Sequence, residues 1–178
     1  MKKYSRSQIA LHWLVFLLIV ITYAAMELKG LFPKGSTGRY WMGIAHYSCG
    51  VSVFILMLVR MILRFLSPEP PVVPPLPDWQ RLSATVGHFI LYSLFILLPV
   101  LGVMSLYFGQ KEWVFVFIHM PVASVKNSLL QNSLKDIHEL LANTGYFIIG
   151  LHAVAALMHH YVWRDNTLKR MMPGKNRD

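Results

Sequence analysis

Charge is what this 178-residue sequence has least of. Asp, Glu, Lys and Arg together make up 14% of it, and only eight residues are acidic, where a soluble domain carries about 25% charged residues. Hydrophobic residues reach 55% and mean hydropathy is +0.47. A soluble helical bundle needs a polar face along each helix; the long stretches here are apolar nearly all round, which excludes that class. Cysteine is almost absent. The single Cys49 excludes an internal disulfide, and without a Cys-x-x-Cys-His motif there is no covalent, c-type haem attachment. Closely spaced histidine boxes, which a membrane di-iron oxygenase requires, are also missing: six residues separate His152 from the His159-His160 pair.

What is present is four apolar runs of bilayer-spanning length, roughly 20 residues or more. They cover about Ser7 to Met26, Tyr40 to Phe65, Ser83 to Phe108 and Leu134 to Trp163. The first resembles a signal peptide, with Lys2, Lys3 and Arg6 before it and Ala24-Ala25 after. It is read as a retained span because it is long enough to cross, holds His12 and runs directly to Glu27. Residues 1–178 are expected to form one domain, all-α, an integral membrane four-helix bundle. The expected partner is the lipid bilayer, with no nucleic acid and no obligatory protein partner. Basic residues set the orientation. With the N-terminus inside, eleven fall on the inner side: Lys2, Lys3, Arg6, Arg60, Arg64, Arg81, Arg164, Lys169, Arg170, Lys175 and Arg177. Lys29, Lys34, Arg39, Lys111, Lys126 and Lys135 make six outside. Both termini are therefore expected in the cytoplasm.

Between spans two and three, Ser67 to Pro77 (SPEPPVVPPLP) holds six of the ten prolines. It reads as an extended, stiff connector in preference to a docking site. The outer loop from Gly109 to Ser133 is expected to lie as a cap. Trp41, Tyr47, Tyr107, Trp113 and Trp163 fall near span ends, where aromatics anchor at the headgroups.

Seven of the eight histidines lie in or at the edge of the spans: His12, His46, His88, His138, His152, His159 and His160. Ionisable side chains in a membrane are costly and mark functional sites. His138 and His152 stand 14 residues apart on span four, so they share a face about 21 Å apart along the axis. Gly145 lies midway, and His159 continues the stripe. This layout suits two stacked porphyrins, with small residues letting the rings approach the backbone; a bare ion cannot bridge sites so far apart. His46 is at the depth of His138, which pairs these two on the outer half. On the inner half His12, His88, His152 and His159 compete, and spacing does not choose among them. Gly43 and Gly50 flank His46 on its own face, as haem-approach or as helix-packing positions. Arg60 and Arg64 share a face at the inner end of span two, placed for haem propionates or for lipid phosphate.

KYSRSQIALHWLVF at the N-terminus, HYSCG in span two and GLHAVAALMHHYVWRDNTLKRMMPG at the C-terminus resemble the bacterial dihaem cytochrome b-561 family across essentially the whole chain. The resemblance implies two non-covalent b-type haems, ligated by His12 with His152 on the inner side and His46 with His138 on the outer. It implies an enzyme of the bacterial inner membrane, oxidising superoxide at the periplasmic face and reducing ubiquinone. Lys111, Lys126 and Lys135 are then the outer cations that attract the anion. His159 is the leading quinone residue, since an imidazole near the inner edge can hydrogen-bond a quinone oxygen and supply protons; His88 serves quinone, propionate or packing. The 14-residue gap is also similar to that in the cytochrome b subunits of membrane formate dehydrogenases and hydrogenases, which sets a second expectation, an anchor passing electrons for a separate dehydrogenase.

Overall fold

The computed structural model describes residues 2–67 and 69–174. Pro68 of the proline-rich link, and Lys175 and Arg177 of the basic tail, lie outside the described residues. Four long helices carry the fold: α1 (Arg6–Lys29), α2 (Thr37–Leu66), α3 (Asp78–Phe108) and α4 (Ser128–Tyr161). A two-stranded antiparallel ribbon, β1 (Val114–Phe115) with β2 (Ile118–His119), sits in the α3–α4 loop, and a short α5 (Thr167–Met171) follows α4.

At 24 to 34 residues the four helices are about 36–51 Å long and exceed the ~30 Å hydrocarbon core. All four are apolar enough to cross a membrane. Large apolar side chains line their outward faces, with Phe65 82% and Phe147 80% exposed, a surface that acyl chains cover and water would not tolerate. The protein is an integral membrane four-helix bundle.

The helices begin earlier than hydropathy indicates, because their first turns are polar, and in α1, α2 and α4 a side-chain cap holds them. The Gln8 N–H donates to the Ser5 hydroxyl in a reciprocal capping box, the Arg39 N–H donates to Ser36, and the Leu130 N–H donates to the Asn127 side chain. Helix α4 stops at Tyr161, two residues short of the expected Trp163. Arg164 then adopts a left-handed φ of 54° and turns the chain back.

Backbones approach most closely within the α1–α2 and α3–α4 hairpins, with α2 against α3 as the further contact. Across the remaining seam, α1 and α4 meet through side chains. Tyr23 donates to the Ala142 carbonyl at 2.9 Å, and Tyr146 donates to Glu27 at 2.7 Å. Val15, Val53, Met57, Leu94, Phe95 and Leu98 form an apolar layer at mid-height. The space above and below that layer is where the histidines point.

A folded segment packs against each end of the bundle. At the end carrying the termini, Asn166 and Arg170 grip the proline-rich link. The Val73 N–H donates to the Asn166 side chain at 2.9 Å, Asn166 donates to the Pro71 carbonyl at 3.3 Å, and buried Arg170 bonds the Pro70 carbonyl. Trp13 donates to the Met171 carbonyl at 2.9 Å, tying α1 to the same tail. The link is thus a connector held along the C-terminal segment. At the loop end, Trp113 is 4% exposed and packs edge-on against Tyr47, ring centres 5.7 Å apart. Its expected headgroup role is overturned, because the ribbon folds the indole down onto α2. Trp41 and Tyr107 remain on the surface.

Candidate functional site

Two levels of imidazoles face one another inside the bundle. Near the loop end, His46 of α2 and His138 of α4 have ring centres 6.1 Å apart. Nearer the termini, His152 of α4 has two imidazole neighbours, His12 of α1 at 6.4 Å and His88 of α3 at 5.8 Å. A metal–imidazole bond of about 2.0–2.1 Å puts the ring centre about 3 Å from the metal, so two trans imidazoles have centres about 6 Å apart. Both levels therefore have the separation that one metal held between two histidines requires.

The loop-end pair is aimed by backbone carbonyls. His46 Nδ1 lies 2.9 Å from the Thr22 carbonyl, and His138 Nδ1 lies 2.8 Å from that of Leu98. An N–H donated from Nδ1 leaves Nε2 as the free lone pair, the usual support of a metal-binding histidine. Pro99 follows Leu98 inside α3, and the Gly102 that completes this turn clears space for the ring: a Cβ there would stand 3.2 Å from His138 Cε1. Gly50 opens onto free space. Together with Phe95 and Leu98 these residues line a cavity of about 430 Å³, within the range of about 300–1,000 Å³ typical of cofactor sites.

The other level is built differently. Among the described residues no backbone carbonyl supports His12; its Nδ1 accepts instead from the Arg60 guanidinium at 3.1 Å. Arg60 thus joins the histidine cluster, while Arg64 pairs with Glu69 of the proline-rich link. The two arginines share a helix face but not a task. Gly145 does not open onto either level: it lies against the Tyr23 hydroxyl and Leu94, so it is a packing position between them. Gly43 likewise lies against Tyr47 and the Lys29 ammonium, and of the two glycines beside His46 only Gly50 borders the cavity.

The outer cations divide in the same way. Lys111 and Lys135 line the cavity that holds His46 and His138, joined by Lys29. Lys135 is paired with Glu139 at 2.8 Å. Lys126 faces a separate shallow depression beside Tyr107 and Phe108. Lys29 carried no individual sequence signal, since only the fold brings the end of α1 over Tyr47, 5.9 Å from its ring.

His159 stands apart from the inner imidazole cluster. Its Nδ1 is 2.5 Å from Asp165 Oδ2 and its ring is 4.6 Å from that of Trp163. Burial alone would push the Asp165 carboxyl up, but hydrogen bonds from His159 and Thr167 hold it below the usual aspartate value. Asp165 was missed in the sequence because a lone acid in a basic tail reads as solvated. His160 and His119 join neither level.

Among the described residues no three His, Cys, Asp or Glu side chains converge on one point to hold a free ion. At the loop end, the imidazole pair beside a cofactor-sized cavity instead fits a metal carried in an organic macrocycle, as haem iron is.

The prokaryotic cytochrome b561 family model matches residues 3–174. The chain is 47% identical to a probable superoxide oxidase CybB of Yersinia pestis over 175 residues, covering 98% of each chain. It is 45% identical to cytochrome b561 homolog 1 of Escherichia coli, covering 97% of this chain and 98% of that one. It is 30% identical to a cytochrome b562 of Cereibacter sphaeroides, covering 95% and 94%.

Proposed function

The chain belongs to the prokaryotic cytochrome b561 family of membrane redox proteins that bind b-type haem, and from that premise we propose that it oxidises superoxide at one membrane face and reduces ubiquinone in the bilayer. The overall reaction takes two superoxide ions, one quinone and two protons to two dioxygen molecules and one quinol. The observation that carries the reading is the pair of imidazole levels, each with ring centres about 6 Å apart, stacked along the membrane axis.

His46 and His138 hold the haem near the loop end, and His12 and His152 hold the one near the termini. Bound haem iron supplies one-electron carriage between the two levels. At the loop end, Lys29, Lys111 and Lys135 outnumber Glu27 and Glu139 around the cavity, and with Lys135 paired to Glu139 the net positive lining draws in an anion. The lysine and arginine excess puts the termini in the cytoplasm, so the cavity mouth faces the periplasm. At the opposite end His159 hydrogen-bonds the quinone and passes it protons. The relative named as a probable superoxide oxidase, at 47% identity, supports superoxide as donor.

The test uses the purified chain in detergent or proteoliposomes. We expect a Soret band, a reducible α-band, two haems per chain and quinone reduction driven by enzymatically generated superoxide. A preparation without haem absorption sinks the cytochrome reading. Haem that superoxide does not reduce leaves instead an electron-passing anchor for a partner dehydrogenase.

A further inference from the structure

Beyond the last proposed ligand, α4 ends in a second buried polar group that haem ligation does not use. His159 is seven residues past His152, two turns along nearly the same face and about 10 Å nearer the terminal end. The left-handed turn at Arg164 brings the chain back beneath it. The Asp165 N–H donates to the His159 carbonyl at 3.0 Å, and the Asp165 carboxylate, 3% exposed, closes on the imidazole Nδ1 at 2.5 Å. The Thr167 N–H holds the second carboxylate oxygen at 2.8 Å. Trp163 flanks the ring, and Trp79 of α3 stacks edge-on behind it at 6.4 Å. Two nearby arginines have partners of their own: Arg170 bonds Pro70 and lies over Tyr4, and Arg64 pairs with Glu69.

A carboxylate on Nδ1 fixes the ring's rotation and tautomer, and it stabilises the imidazolium when Nε2 is also protonated. We infer that Asp165 is a positioning residue for proton delivery, holding His159 so that its Nε2–H can be given to a quinone oxygen on the cytoplasmic side. This rests on the reading of His159 as the quinone residue. For each proton passed, the Nε2–H bond breaks as an O–H bond forms on the reduced quinone. Water at the terminal end then restores the proton to Nε2. The electrons come from superoxide, so two such cycles complete one quinol.

Asp165→Asn keeps the shape and, with its oxygen on the Thr167 N–H, removes the charge and turns an amide N–H₂ toward His159. Haem content, spectra and the rate of haem reduction by superoxide without quinone are expected to be unchanged. Quinone reduction is expected to fall about 10–100-fold, a part of the roughly 10²–10⁴-fold that a positioned acid contributes. The fall is expected in kcat, with the KM for quinone little changed, and Asp165→Glu, which restores the charge, is expected to recover part of it. Asn166→Ala loosens the same tail from the proline-rich link but leaves the dyad, and is expected to keep the parent kcat. An unchanged kcat in Asp165→Asn, no recovery in Asp165→Glu, or the same fall in Asn166→Ala overturns the inference. If His159→Gln itself leaves quinone reduction intact, the underlying quinone reading falls and this one with it. If His159→Gln slows the step and Asp165→Asn does not, only the role of Asp165 falls.

Discussion

Single imidazoles set the stakes of this bundle. At the loop-end level each histidine has a carbonyl behind Nδ1, so either ring is oriented before any ligand binds. His138→Ala is expected to remove that haem while leaving the other, read as a haem-to-protein ratio falling from two to one. At the second level His152 has two neighbours, and the family resemblance selects His12. His12→Ala should lower the ratio to one and His88→Ala should leave it at two; the reverse result would reassign the pair. Gly102 is the finest test of the loop-end geometry. A Cβ at 3.2 Å from the His138 ring is tighter than ordinary contact, so Gly102→Val must push the ring off its Leu98 bond. We expect a loosened haem with a displaced midpoint in potentiometric titration, and an unaffected second haem.

At the level of elements, the spans show as hydrophobic runs, but the elements that close the ends do not. The β1–β2 ribbon is only two residues per strand, too short for any alternation to register. Its purpose is seen in Trp113, which carries the loop down onto α2. Trp113→Ala removes a large buried side chain, a change that costs about 3–5 kcal/mol in well-packed sites. The expected outcome is a lower melting temperature together with faster haem loss from the His46–His138 level, and retention of haem at the other level. The tail behaves alike: WRDN reads as polar punctuation after a helix, yet Asp165, Asn166 and Arg170 are buried because the tail folds back onto the proline-rich link and α1.

For the whole molecule, charge asymmetry is the governing feature. Net charge is +9, and three of the cations gather around one cavity against two carboxylates, Glu27 and Glu139. Steering by exposed charge weakens as salt shortens the screening length, from about 10 Å at 0.1 M to about 3 Å at 1 M. Superoxide-driven haem reduction is therefore expected to slow as ionic strength rises. In the double variant Lys111→Gln with Lys135→Gln it should be slower at low salt and nearly salt-independent. Lys126→Gln, facing a different depression, should change little. A parent rate indifferent to salt would argue against steering at this mouth.

Membrane class, span number and the two histidine depths were legible from the sequence alone. Hydrophobicity and helical period are local properties: 14 residues on one helix fix a 21 Å rise and a common face whatever the neighbours do. Relations between helices were not legible. No spacing states that Leu98 offers its carbonyl to His138, or that Gly145 is taken up by Tyr23. Nor does any spacing show that Lys29 reaches the mouth with Lys111, or that a tail carboxylate closes on His159. Each depends on how two hairpins lean together and on where a left-handed turn at Arg164 sends the chain. Those are consequences of packing, which only the tertiary structure decides.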